Sequence, residues 1–349
     1  ADSGVEITKD LIHGLAASDI LYDASGTFGN GIAVWSGYGD DQVLVSSTRK
    51  DDVPGPGGQG TVRTITQVNT GLGDDQITVN LDAARDGFFA LNTQGPFDHD
   101  DQGTPRTDND HVDAAGSSLP LVIFGGQGDD HIVGGSGSDL IFGDRGRLVY
   151  YDDLGNVAQV LGNGGLGDQT DGLVHAASRA YSVDLPVGGA DTINAGEGAN
   201  FVLGGARGDG ITAGSGDDVI IGDNGEVITN GLGRVIRYAT TDTLASTGGN
   251  DTLTAGEGNN AILGGMGADV ITAGNGVDTI LGDNGAVDRD ASGLHYTHIA
   301  TFTLPQIVDL GGDDHITALD GDKIVLGGDG VDTINLGIGS STASDHIVI

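Results

Sequence analysis

Carboxylates and glycines recur in this chain at fixed distances. In residues 125–133 (GGQGDDHIV) glycine fills the first, second and fourth places, aspartate the sixth and an aliphatic residue the eighth; residues 134–142 (GGSGSDLIF) repeat the pattern without a gap. Glycine admits positive φ and leaves room for backbone carbonyls to converge, which a side chain would obstruct. A turn of converging carbonyls closed by an Asp carboxylate is a cage of hard oxygens. That chemistry suits calcium, which takes six to eight oxygens at roughly 2.3–2.6 Å.

Further complete copies start at Gly264 and Gly327, and copies opening with alanine start at Ala213 and Ala273. The sixth-place carboxylates are Asp130, Asp139, Asp218, Asp269, Asp278 and Asp332. The second- and fourth-place glycines are Gly126, Gly128, Gly135, Gly137, Gly214, Gly216, Gly265, Gly267, Gly274, Gly276, Gly328 and Gly330. Short forms lacking two residues, GGADTI at Gly188, GGNDTL at Gly248 and GGDDHI at Gly311, keep Asp191, Asp251 and Asp314 in the carboxylate position. GGARGDGIT carries Arg207 where the fourth glycine is expected and still offers Asp209. A diluted version toward the N-terminus supplies Asp41, Asp75 and Asp110. GDRG and GDNG close successive blocks, and their Asp144, Asp223 and Asp283 join the candidate ligands.

The elements that must position these groups follow from the spacing. Each glycine turn leads into a short strand, x-U-x, whose aliphatic residue points inward and whose neighbours point outward. Two consecutive units make one coil, so turns two units apart stack, with strands about 4.8 Å apart. Neighbouring carboxylates at that distance repel by roughly 3–4 kcal/mol at an effective dielectric near 20. An empty ladder should not close. An ion between turns reverses the sign, and each site at ten times its dissociation constant adds about 1.4 kcal/mol. About ten such sites rival the whole stability of a typical domain.

A longer period lies above the short one. The short forms recur after 60 and then 63 residues, and between blocks run the excursions 145–187, 226–247 and 286–310, which lack the pattern. Their alternating Val, Ile, Tyr and Thr with internal Gly predict β-hairpins projecting from the main body. The expected organisation is one continuous all-β body: a degenerate stretch over 1–108 with long loop insertions, then regular blocks over 109–349. VPGPGGQG at Val53 and FDHDDQGTPRTDND at Phe97 read as loops.

Composition narrows the partners. The 349 residues include 65 Gly and no Cys, and 14 Lys plus Arg stand against 51 Asp plus Glu, a formal net charge of -37. Nucleic acid and anionic membrane surfaces are repelled by such a chain. Disulfides and thiolate metal sites are excluded. The longest purely apolar run, Leu121 to Phe124, is too short to span a bilayer, so no membrane insertion is expected. The start does not read as a signal peptide, and the end stops within a repeat-like phrase, as in a segment of a longer chain. There is no HExxH, no G-x-S-x-G and no phosphate loop. Catalysis is therefore not expected. Asp152, Asp153, Asp168 and Asp171, with Arg179 and Tyr181, mark where a glycosidase-like carboxylate pair would have to sit.

The nonapeptides from Gly125 to Asn335, outside the excursions, resemble the RTX (repeats-in-toxin) calcium-binding β-roll of secreted bacterial toxins, proteases, lipases and large adhesins. The resemblance implies a right-handed parallel β-roll (β-solenoid) holding several calcium ions. Their ligands would be the sixth-place Asp and turn carbonyls, including those of the second- and fourth-place glycines. It further implies export unfolded through a type I secretion channel and folding outside the cell. The 60-residue blocks look like those of very large RTX surface proteins. The expected role is a structural segment of an adhesin, surface layer or extracellular fibre, with self-association, neighbouring surface proteins or a glycan as partners. The alternative is an accessory module of an exported polysaccharide-active enzyme or toxin.

Departures from the pattern carry their own expectations. Asn200 and Asn260 replace the acid, leaving either weak sites or hydrogen-bonded ladders. Lys323 takes the acid's place in ALDGDKIVL, its ammonium standing in the cation position, so no ion is expected at that turn. Arg207-Gly208-Asp209 spells an integrin tripeptide, but an Asp committed to calcium does not project for recognition. His111, His131, His315 and His346 follow the acidic position and should face solvent. Trp35, Phe88, Phe89, Phe97 and Phe124 are expected to cover the stack's end or fill joints beneath inserted loops.

Overall fold

After each acid the chain forms a strand of three to six residues, because β-branched and aliphatic residues alternate there between two glycine-rich turns. In the computed structural model, residues 4–16, 18–22, 31–50, 53–55, 60–93, 107–162, 168–242, 246–301, 311–337 and 346–348 are described. Phe97 and most of the tract that follows it lie outside them, as does much of the loop after Val53. All regular structure among the described residues is β, so none of it is a helix able to cross a membrane.

Three sheets result. The first has 13 strands and runs in parallel from Val5–Ile7 through Gln42–Val45, His131–Val133 and Val270–Ala273 to Thr333–Leu336. An antiparallel pair, Leu11–His13 and Ile20–Leu21, covers its N-terminal edge. The second has 11 strands, all parallel, from Ile32–Trp35 through Leu121–Gly126 and Leu140–Asp144 to His346–Val348. Outside the excursions the chain alternates between these two sheets. Register is strict: Ile132 pairs Val112 and Ile193, and Ile141 pairs Ile123 and Val202. The eighth-place residues of both sheets therefore meet in one core that includes Ile132, Ile193, Ile211, Ile271 and Ile316 with Ile141, Val202, Ile220, Ile262 and Ile280.

The excursions do form hairpins, but they do not project. Their strands, among them Gly146–Tyr151, Ser178–Ser182, Gly225–Thr229, Val235–Thr240, Gly285–Arg289 and Tyr296–Thr301, join edge to edge into a third, antiparallel sheet of seven strands. That sheet lies on the outer face of the second. Its Leu148, Val227, Tyr238 and Val287 share a buried cluster with Phe124, Phe142, Leu203, Ile221, Leu263 and Leu281. The reason is the side-chain chemistry beside the eighth place. In the second sheet those neighbours are apolar, as in Leu140 and Phe142 or Val219 and Ile221. In the first sheet they are mostly polar, as in Thr252 and Thr254 or His315 and Thr317.

Phe124 and Phe142 stack beneath this cover with ring centroids 5.1 Å apart. Phe142→Ala is expected to cost about 3–5 kcal/mol. Hydrogen exchange should accelerate first in the strand Gly146–Tyr151, because the lost contacts are those holding the third sheet down. Trp35 stands at the end strand of the second sheet, half exposed, whereas Phe89 is buried. His131 and His315 face solvent, and the rings of His131 and the half-buried His111 stack at 4.9 Å.

Candidate metal centre

The turns that enter the first sheet form one continuous row. Asp41, Asp75, Asp110, Asp130, Asp191, Asp209, Asp251, Asp269, Asp314 and Asp332 follow one another along it, each immediately before its strand. Each backbone N–H donates to the Oδ1 of the next acid: Asp41 to Asp75 at 2.7 Å, Asp130 to Asp191 at 2.8 Å, Asp209 to Asp251 at 2.7 Å, and so on to Asp314 and Asp332 at 3.1 Å. The ladder has no gap across excursions or loops. The strands' register fixes it, since stacked turns can exchange such bonds only when every coil starts at the same place.

The other oxygen tells a different story. The Oδ2 atoms of Asp41, Asp75, Asp110, Asp130, Asp191, Asp209, Asp251, Asp269 and Asp314 are buried and accept no hydrogen bond from the protein. A buried carboxylate oxygen without a donor is expensive. A row of them argues for cations. From Asp75 to Asp314 burial is the first cause pushing the acids of this row upward, to about 7 at Asp75 and Asp314 and about 10 at Asp269. The charges of neighbouring rungs add to it at Asp130, Asp209 and Asp269. Among the described residues no three His, Cys, Asp or Glu side chains converge as a metal cluster. Backbone carbonyls must therefore supply most of the donors at any site here, as calcium permits.

The glycines make room for this arrangement. Gly265 and Gly267, and likewise Gly126 with Gly128 and Gly328 with Gly330, have positive φ. First-place Gly264 is needed for another reason: a Cβ there would lie 2.0 Å from Gly282 O and 2.2 Å from Asp269 Oδ2. Gly264→Ala is expected to lower calcium affinity and the thermal midpoint together. Gly233→Ala, where a Cβ meets nothing but the backbone has φ 72, should lower the midpoint alone. Arg207 adopts φ 78 at the fourth place, a left-handed conformation that L-residues tolerate poorly. Its Nε donates to Gly188 O at 3.2 Å, while Asp209 is buried, so the tripeptide is built into a turn.

The block-closing acids have a role that the spacing did not reveal. Asp144, Asp223 and Asp283 pair in register with second-place Gly126, Gly205 and Gly265. They are thus second-place residues of turns that the excursions split, and the short forms at Gly188, Gly248 and Gly311 are the rear halves of those same turns. The carboxylate helps close the split. Asp144 accepts from Gly189 N at 3.0 Å and from Ala206 N, and Asp223 accepts from Gly249 N at 3.0 Å and from Met266 N. Asp283 accepts from Asp329 N and keeps a buried, unpartnered Oδ1. Asp108 was also missed. It offers Oδ1 to Gly73 N at 3.0 Å, leaves Oδ2 unpartnered and is pushed up to about 8, first by burial. Its signal was an extra acid two places before Asp110.

The turns entering the second sheet bring Asp139, Asn200, Asp218, Asn260, Asp278 and Lys323 into another row. Its backbone ladder is the same in kind: Asp139 N donates to Asn200 Oδ1 at 2.9 Å and Asn260 N to Asp278 Oδ1 at 2.9 Å. Its oxygens are otherwise engaged. Asp139 accepts from Leu121 N and from Gly135 N, and Asp278 Oδ2 receives the Lys323 ammonium at 2.7 Å. Only Asp218 keeps an unpartnered Oδ2 in this row.

No curated protein and no solved structure matches the chain. The family model for the RTX calcium-binding nonapeptide repeat (4 copies) matches residues 122–147, 187–210, 238–271, 264–286 and 308–343. Those segments contain the first-row acids from Asp130 to Asp332, the second-row residues except Asp218, and the split-turn acids Asp144 and Asp283. Repeats of this kind bind calcium, several ions to an array, and are typical of secreted proteins. Over those segments the chain carries RTX calcium-binding nonapeptide repeats.

Proposed function

We propose that this chain is a non-catalytic, calcium-stiffened extender within a secreted surface protein, wound as a right-handed parallel β-roll. The unpartnered Oδ2 row carries the reading. Asp130, Asp191, Asp209, Asp251, Asp269, Asp314 and Asp332, with the carbonyls of the turn glycines, would hold calcium, continued by Asp41, Asp75 and Asp110 toward the N-terminus. The ion supplies positive charge between turns that repel when bare. The remainder belongs to the chain. Its backbone ladder fixes the register, its aliphatic core joins the two parallel sheets, and the third sheet splints the second against bending. Such a body transmits tension along its length, which is what an adhesin, surface layer or fibre requires. Pulling single molecules by their ends should give high unfolding forces in calcium and low ones in chelator. Equal forces in both would defeat the extender reading.

A second reading has one observation in its favour. A cavity of about 610 Å³ lies between the first excursion and the coils, lined in part by Arg63, Phe88, Leu121, Leu148, Tyr150 and Phe201. The Arg63 guanidinium carbon sits 4.6 Å from the Phe88 ring centroid and 5.5 Å from that of Tyr150. Saccharide binding abolished by Phe88→Ala would favour an accessory module of a polysaccharide-active protein. The excursion's carboxylates do not favour catalysis. Asp152 accepts from Leu154 N and Asn156 N within its own loop, Asp171 from Leu173 N and His175, and Arg179 pairs with Glu226.

A further inference from the structure

The second row of turns solves the same problem without metal. We infer that Asn200, Asn260 and Lys323 are internal donors replacing calcium there, so that calcium loads essentially one edge of the body; this rests on the first-row assignment above. Asn200 Nδ2 donates to the carbonyls of Gly196 at 3.3 Å and Gly198 at 3.0 Å. Asn260 Nδ2 does the same to Gly256 at 3.1 Å and Gly258 at 3.4 Å. These are the second- and fourth-place carbonyls, the donors that a first-row turn keeps for an ion. An amide already donating to them cannot act as a carboxylate ligand, and it removes the charge that would attract a cation.

Lys323 completes the substitution. Its ammonium reaches Gly274 O at 3.3 Å, Gly276 O at 2.8 Å, Asp320 O at 3.0 Å and Asp278 Oδ2 at 2.7 Å, and the residue is 1% exposed. An ammonium has three donors and no acceptor, so four oxygens around it form a filled cage. A divalent ion there would have to displace a buried positive charge. With Asp139 satisfied by backbone N–H groups, Asp218 is the sole second-row acid left with an open oxygen. Two Asn and the Lys323 ammonium leave this row with far less net negative charge than the first, and hydrogen bonds with one ion pair close it.

Anomalous scattering from crystals of the full chain grown in calcium tests this directly. Peaks are expected beside the first-row acids and none on the carbonyls of Gly196, Gly198, Gly256, Gly258, Gly274 or Gly276. A calcium peak on any of those six carbonyls overturns the inference, while absence of peaks from both rows overturns the first-row assignment on which it rests. In solution, equilibrium dialysis against calcium should find more ions per chain in Asn200→Asp/Asn260→Asp than in the wild type, and no gain in Asn200→Ala/Asn260→Ala. Equal loading of the Asp variant and the wild type would contradict the inference. Loss of an ion in Asp209→Asn, measured alongside, shows that the first row is the one being counted.

Discussion

Asp251→Asn is expected to shift stability in opposite directions with and without calcium. In calcium the variant keeps the bond from Asp209 N, since an amide Oδ1 accepts as well as a carboxylate, but it loses a ligand. The loss is at least about 1.4 kcal/mol once calcium exceeds its dissociation constant tenfold, read as a lower denaturation midpoint. In chelator the change helps. Burial first, together with the charge of Asp242, pushes the Asp251 carboxyl upward, and Asp314, Asp269 and Asp75 are raised in the same way. Between about pH 4, the ordinary value of an unfolded aspartate, and those raised folded values, the folded metal-free chain holds more protons than the unfolded one. Its stability therefore falls as pH rises through that window, to about 7 for Asp75 and Asp314 and further for Asp269. Acid should thus partly replace calcium: metal-free protein gains β signal in circular dichroism as pH drops from 8 toward 5. Asp251→Asn removes one of the groups that must be protonated, so its transition moves to higher pH. A variant unchanged in both conditions would show that the carboxylate serves only as a hydrogen-bond acceptor.

Lys323→Met should be the most damaging single change in the second row. Removing the ammonium takes the donor from Asp278 Oδ2 and from the carbonyls of Gly274 and Gly276, while Asp320 O keeps the bond from Gly276 N. Breaking a buried pair from one side costs about 3–5 kcal/mol. The exposed cage then consists of one carboxylate and three carbonyls, a set that calcium accepts. Urea denaturation should accordingly show a large loss at low calcium that shrinks at high calcium, a dependence steeper than that of the wild type. A midpoint unchanged at low calcium would mean the ammonium contributes nothing to closing the row.

Much of this was legible in the sequence because the repeat states it many times. The alternation of glycine turn and x-U-x strand predicts parallel strands with Ile132, Ile141 and Ile271 facing one core, and that is where they lie. The substitutions at Asn200, Asn260 and Lys323 stood out against so regular a background. What was not legible came from reading each copy alone. The short forms look truncated until Gly143 and Asp144 are recognised as the front of the turn that Gly188 and Gly189 finish. The third sheet was missed for a related reason. Leu140 and Phe142, Val219 and Ile221, and Leu281 beside the eighth place announce a strand covered on both faces, but only once copies belonging to one sheet are compared with each other. Asp108 fell in a stretch too irregular to align.

The most direct measurement is a calcium titration of exhaustively chelated full chain at neutral pH, followed by circular dichroism. Little β structure is expected before calcium is added, then a cooperative rise as ions load the first-row turns. A chain already fully folded in chelator, or one that takes up calcium without gaining structure, would contradict the account.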